Sequence, residues 1–222
     1  MPCLHRFLNL HNEDFGGLFP NWKVKYLFIG TFNPSWDRPD GNNADYFYGR
    51  SPYFWEVLPR FVSQDDLTES NASQKIEFCQ NKNIGFTDLI KRIDNVELHN
   101  EEDRNRILSF KDSDLLTFGN NVVFNTAEII NYINDNTSVK KVYFTLLGAK
   151  VGAITAAMVE IEEHCEHLHN EFHREIEVHR LHTPTGQGLG AGAPREDVLT
   201  HRWFGQHLSF DNGFNPGEFL FL

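Results

Sequence analysis

The chain has 222 residues, 31 acidic against 20 basic, for a formal net charge of −11. Its 40% apolar content suits a packed core and excludes a disordered chain, while the acidity argues against a nucleic-acid partner held by phosphate neutralisation alone, which needs Lys and Arg. Neither a signal-peptide run at Met1-Pro2-Cys3-Leu4-His5-Arg6 nor any membrane-length apolar run is present, and the odd, scattered Cys3, Cys79 and Cys165 read as reduced thiols, so one domain over residues 1–222 is expected, monomeric, away from membranes and cytoplasmic, or nuclear in a eukaryote.

Strand-like and helix-like segments alternate along the chain. Val24 to Ile29 is an apolar strand that runs into Gly30-Thr31-Phe32-Asn33-Pro34-Ser35. Ser51-Pro52 then places an N-cap before a proline at the first helical position, opening a helix with Phe54, Trp55, Val57 and Leu58. Asn71 to Asn81 reads as a helix, Ile84 to Ile90 as a strand with its loop, and Glu101 to Phe110 as a helix. Val122 to Asn125 is a short buried strand, and Thr126 caps a helix from Ala127 to Asn134. Val142 to Leu147 is a strand, Ala149 to His167 a long helix, Glu175 to His179 the last strand, and Pro194 opens a closing helix.

Strands separated by helices predict an α/β fold with a mainly parallel central sheet of four to five strands. In such sheets, side chains that do chemistry gather at the carboxyl ends of the strands. Asn33, Asp88, Asn125 and the loop from His182 to Gly186 all sit at predicted strand ends. One rim is therefore expected to collect them.

Two of these segments carry a family resemblance. The turn Thr31-Phe32-Asn33-Pro34-Ser35 is followed by Tyr46-Phe47-Tyr48-Gly49, and Phe47 stands eight residues before Trp55 in Phe54-Trp55. This resembles the first motif of the uracil-DNA glycosylase superfamily, closest to its mismatch-specific uracil/thymine branch, where Gly-Ile-Asn-Pro-Gly ends a strand and a Phe precedes a Phe-Trp pair. About 150 residues after Asn33, Leu181-His182-Thr183-Pro184-Thr185-Gly186 is similar to the family's Leu-Pro-Asn-Pro-Ser-Gly loop. Two motifs in the right order are far more specific than either alone.

The resemblance implies a three-layer αβα sandwich and a monofunctional DNA glycosylase of base excision repair, with no metal or other cofactor. Asn33 would place the attacking water, Phe47 or a neighbour such as Tyr48 would stack on the base, and Phe32 and Pro34 would shape the pocket. Thr183, Pro184, Thr185 and Gly186 would contact the substrate, while Gly188, Gly190 and Arg195 would grip the DNA. The uracil-specific branch has a His opening the second loop, which aligns here with Leu181, so His182 ranks below Asn33 as a stabiliser of the departing base. Pro52 replaces a family Asn, and Gly49-Arg50 looks more like the hypoxanthine-acting branch. The base therefore stays open between uracil, mispaired thymine and hypoxanthine.

Plainer roles stand beside these. Asn33-Pro34 suits any turn, and Phe47 suits any core in a chain with 20 Phe. Asp88 is either a general base or the satisfied end of a turn, with the second preferred. The histidines from His164 to His173 lack the usual zinc spacings. Three cysteines cannot supply the four ligands of an iron–sulfur cluster, which excludes the branches that hold one. The acidity predicts weak, salt-dependent binding to DNA, through Arg50, Arg60, Arg180, Arg195 and Arg202. Two other classes remain: a nucleotide- or nucleoside-binding module that keeps the fold without chemistry, and a small-molecule N-glycoside hydrolase.

Overall fold

The structure is a computed structural model that describes residues 1–8, 17–41, 43–49, 51–56, 58–59, 66–109, 111–146 and 152–183. Its centre is a parallel sheet of β2 (Tyr26–Gly30), β3 (Ile84–Asp88), β6 (Lys141–Phe144) and β7 (Glu177–Arg180), in the order β3-β2-β6-β7. All five residues of β2 are buried, as expected for a parallel strand covered on both faces.

Alternation along the strands sends side chains to opposite faces. Tyr26, Phe28, Ile84, Phe86 and Tyr143 pack with Phe54 and Trp55 of α1 (Pro52–Trp55) and Ile76, Phe78 and Cys79 of α2 (Ala72–Lys82). Leu27, Ile29, Val142 and Phe144 pack on the other face, against Ile129 and Ile133 of α5 (Thr126–Asp135) and Ile154, Met158 and Ile161 of α6 (Gly152–Phe172). In α6 the buried Ile154, Met158, Ile161, Cys165 and Leu168 recur every three or four residues and form the stripe that seats it on the sheet. The result is the expected αβα sandwich.

The expected strand over Ile84 to Ile90 is two strands. Asp88 ends β3, and the chain then crosses the end of β2, with Leu89 N–H donating to Gly30 O at 3.0 Å and Ile90 N–H to Thr31 O at 2.9 Å. It continues as β4 (Ile90–Ile93), which pairs antiparallel with β1 (Cys3–Leu4) and β5 (Val122–Phe124) in a second sheet ordered β1-β4-β5. Val122–Phe124 is thus a short strand of this side sheet. Ile90, Ile93, Val122 and Phe32 close a third apolar cluster with Ile107 of α3 (Glu101–Leu108) and Leu115 of α4 (Asp112–Leu115).

Local chemistry sets the helix ends. Asn71 accepts from Gln74 N–H, while the Gln74 side chain accepts from Asn71 N–H, a reciprocal capping box. Ahead of α5 the N-cap position belongs to Asn125, with Thr126 as first helical residue, one position earlier than expected. The Asn125 side chain makes no capping bond, and its Nδ2 donates to Asp88 O at 3.1 Å.

Gly85 shows how tightly β3 is packed: a Cβ there would lie 2.6 Å from Pro20 Cγ and 2.7 Å from Val24 Cγ2. Gly85→Ala is expected to destabilise the fold by about 1–3 kcal/mol through overpacking. Denaturant unfolding of the two proteins checks this.

Candidate functional site

The parallel sheet puts the ends of β2, β3, β6 and β7 on one side. Gly30 opposes Asp88 in register, Thr145 N–H donates to Ile29 O at 2.9 Å, and Leu181 N–H donates to Phe144 O at 2.7 Å. Asn33, Asp88, Thr145 and Thr183 therefore follow neighbouring strand ends on one rim, the two motif segments among them.

The Asn33 turn is fastened from the N-terminal side. Arg6 N–H donates to Asn33 O at 2.7 Å, Ser35 N–H donates to Leu4 O at 2.9 Å, and His5 forms a bridge with Pro34. The Arg6 guanidinium braces the following loop, donating to Pro34 O at 3.1 Å, Trp36 O at 3.1 Å and Asp37 Oδ1 at 3.0 Å.

Asp88 is the hub of the rim. Its Oδ2 accepts from Asn33 Nδ2 at 2.8 Å and lies 2.7 Å from His5 Nε2. His5 Nδ1 accepts the Phe7 backbone N–H at 3.2 Å, so the ring proton sits on Nε2 and is donated to Asp88. An ionised carboxylate only accepts, which also assigns the Asn33 nitrogen to Asp88 and leaves its carbonyl oxygen to the other side. His5 is 1% exposed and Asp88 3%. Gly30 makes room for the carboxylate: a Cβ on Gly30 would lie 2.4 Å from Asp88 Oδ1. Asp88 thus ends β3 as a carboxylate satisfied by two donors, the role favoured from the sequence over a general base.

Near the same point of Gly30, Tyr48 has a left-handed backbone (φ 61°) and stacks on Phe54 at 4.3 Å. Its hydroxyl donates to Thr145 Oγ1 at 2.9 Å, and Thr145 Oγ1 donates to Ile29 O at 3.3 Å. Burial, aided by the Asp88 charge, pushes the phenol far above its ordinary pKa. Tyr48 is a neutral donor at any ordinary pH.

Asp112 approaches from α4. Burial and the Asp88 charge raise its pKa above the ordinary 3.8, against a hydrogen bond from Thr31. A raised carboxyl pKa gives stability that is complete below the unfolded value and lost as pH rises through the folded one. Asp112→Asn is therefore expected to stabilise the protein near neutral pH, with the gain vanishing in acid. Thermal unfolding across that range tests this.

Phe32 and Phe47 belong to the core, 7% and 2% exposed. The Phe47 ring packs against Phe7 at 4.8 Å and stacks on Phe86 at 5.7 Å, so in this structure it serves packing. Phe47→Ala is accordingly expected to cost about 3–5 kcal/mol of stability, where a ring reserved for a ligand would cost binding instead; unfolding measured alongside ligand affinity separates the two. Pro34 bridges to His5, and Leu181 is buried with His182 and Thr183 partly buried after it.

Pro184, Thr185, Gly186, Gly188, Gly190 and Arg195 lie outside the described residues, as do Arg50, Arg60, Arg202 and the expected closing helix. Of the arginines expected to meet phosphates, Arg180 is described, and its guanidinium grips both oxygens of Glu162 at 2.6 Å. His164 shares a hydrogen bond with Asn134 at 2.8 Å. Among the described residues no three His, Cys, Asp or Glu converge on a metal-sized site, and no helix is long and apolar enough to cross a membrane. The three cysteines are buried and unpaired, with burial pushing the Cys3 thiol up to about 11 and Cys165 to about 12. They are thiols, not thiolates.

No protein-family description matches the sequence, and no curated protein matches it. Among solved structures, the chain is similar to a Methanosarcina acetivorans protein described as a "putative Uracil DNA glycosylase". The two share 12% identity and a TM-score of 0.44, over 80% of this chain and 87% of that one.

Sequence reasoning missed His5. Nothing local marks it, since its partner lies 83 residues away and they meet only through the side sheet.

Proposed function

We propose that the protein is a monofunctional DNA glycosylase that hydrolyses the N-glycosidic bond of a damaged or mispaired base. The observation that carries this reading is the Asn33 carboxamide, held by its nitrogen on a buried carboxylate at the carboxyl rim of a parallel sheet. Hydrolysis of a base–sugar bond needs a water placed behind the anomeric carbon and stabilisation of positive charge on the sugar as the base leaves. With Nδ2 committed to Asp88, the Asn33 carbonyl oxygen is an acceptor of fixed direction that can hold such a water without strong basicity. Base stacking falls to Tyr48, which is partly buried where Tyr46 and Phe47 are buried in the core. His182 is the second candidate to stabilise the departing base, and the loop from Thr183 through Gly192 would grip the DNA.

A panel of oligonucleotides carrying uracil, hypoxanthine, xanthine or mispaired thymine tests the reading, with base release scored by alkaline cleavage. Release of one of these bases is expected; no release from any of them overturns it. The Arg180–Glu162 pair and the net charge of −11 favour a second reading, a nucleotide- or nucleoside-binding module without the chemistry. Binding of nucleotides without base release would support that one, and hydrolysis of free nucleosides would point to a small-molecule hydrolase.

Binding to DNA is expected to be weak and steeply salt-dependent, because the chain carries a net charge of −11 and few arginines stand near the motif segments in sequence. Titration of labelled duplex at low and moderate salt checks this, and tight binding indifferent to salt would contradict it.

A further inference from the structure

The buried contact between His5 and Asp88 has no role in the water-placing step itself, yet it fixes the group that Asn33 leans on. Asp88 could turn about its side-chain torsions were Asn33 its sole partner. Two donors meet on one oxygen, His5 Nε2 at 2.7 Å and Asn33 Nδ2 at 2.8 Å. The other oxygen is packed over Gly30, where a Cβ would come within 2.4 Å of it. The imidazole is itself fixed: Phe7 N–H occupies Nδ1, and Phe7, Phe32 and Phe47 surround the ring at centroid distances of 5.4, 5.8 and 5.9 Å. A second proton on Nδ1 would face the Phe7 N–H, donor against donor. The ring therefore stays a neutral, one-directional donor.

We propose that His5 is a positioning residue that acts through Asp88: as a neutral Nε2–H imidazole it sets the carboxylate, which sets the Asn33 carboxamide toward the rim. Its consequence for catalysis rests on the glycosylase reading; the geometric chain from His5 to Asn33 does not. The segment Cys3-Leu4-His5-Arg6, far from both motif segments in sequence, thereby becomes part of the site. It is tied to Lys91 O through His5 N–H at 2.8 Å and to the Asn33 turn through Arg6 N–H.

His5→Phe keeps an aromatic ring in the cage and removes the donor, whereas His5→Gln keeps an N–H that can reach Asp88. Groups that orient a metal ligand through a hydrogen bond are worth about tenfold to a hundredfold in activity, and the same scale is expected for one that orients Asp88. On whichever base the oligonucleotide panel identifies, His5→Phe is expected to lower kcat within that range with KM nearly unchanged, and His5→Gln to recover most of the loss. A merely structural histidine would show lowered stability in both variants with no such split.

Nitrogen-15 NMR of the wild-type protein supplies a readout independent of activity. The expected His5 pattern is a protonated Nε2 and an unprotonated Nδ1, and the Asn33 side-chain amide proton bonded to Asp88 should be shifted downfield and lose that shift in His5→Phe. A protonated Nδ1 in the wild type, or an Asn33 amide unmoved by His5→Phe, overturns the proposal even if the variant is poorly folded for kinetics. If the wild type releases no base, the glycosylase reading falls, while the NMR result alone decides the positioning role.

Discussion

Asn33→Ala is expected to lower the rate of base release by about a hundredfold or more, in the range typical of a positioned group that assists the attacking water. The substitution removes the side-chain carbonyl oxygen proposed to hold the water and the amide that binds Asp88 Oδ2 at 2.8 Å. It leaves Asp88 with its His5 partner at 2.7 Å, so no buried charge is stranded and stability should change little. DNA affinity should also hold, because an interaction made mainly in the transition state lowers kcat and kcat/KM together. Single-turnover kinetics beside a binding titration give both quantities.

Asp88→Ala is expected to act on both stability and turnover. It removes the acceptor of the Nε2–H of His5, which is 1% exposed, and an unpaired buried donor costs about 1–3 kcal/mol. It also frees the Asn33 carboxamide to rotate, so turnover should fall about as far as in Asn33→Ala. The double variant is then the informative one. If Asp88 acts by holding Asn33, removing both should cost little more turnover than removing either, the non-additivity expected of groups in one network. Additive losses would mean that Asp88 works on the substrate independently. Asp88→Asn separates charge from shape, since it offers an acceptor to His5 or to Asn33 while withdrawing the negative charge.

Much of the main sheet is legible in the sequence because its strands are short apolar runs set between turn residues. Tyr26–Gly30 and Lys141–Phe144 overlap the expected Val24–Ile29 and Val142–Leu147, each extending one residue beyond it, and the carboxyl rim follows from their parallel order. The side sheet was hidden. Ile84 through Ile90 reads as one apolar run, and the switch at Leu89 depends on its backbone bonding to Gly30, a partner distant in sequence. Val122–Phe124 has the same apolar pattern whether it pairs parallel or antiparallel.

The site was legible only in part. Asn33 stood out because a carboxamide follows directly on a strand end, in a turn with proline. Asp88 was visible as a carboxylate at a strand end, but its two donors were not. One of them, His5, comes from a two-residue strand too short to leave a pattern. Phe47 illustrates the opposite limit: its spacing suits a stacking ring, while burial against Phe7 and Phe86 is a matter of packing that spacing does not encode.

The most direct measurement of the central claim is base release from the four-base oligonucleotide panel by the wild-type protein and by Asn33→Ala side by side. The account predicts that the wild type releases at least one of these bases and that the variant does so about a hundredfold more slowly at similar DNA affinity. Release at equal rates by the two proteins, or by neither, would contradict it.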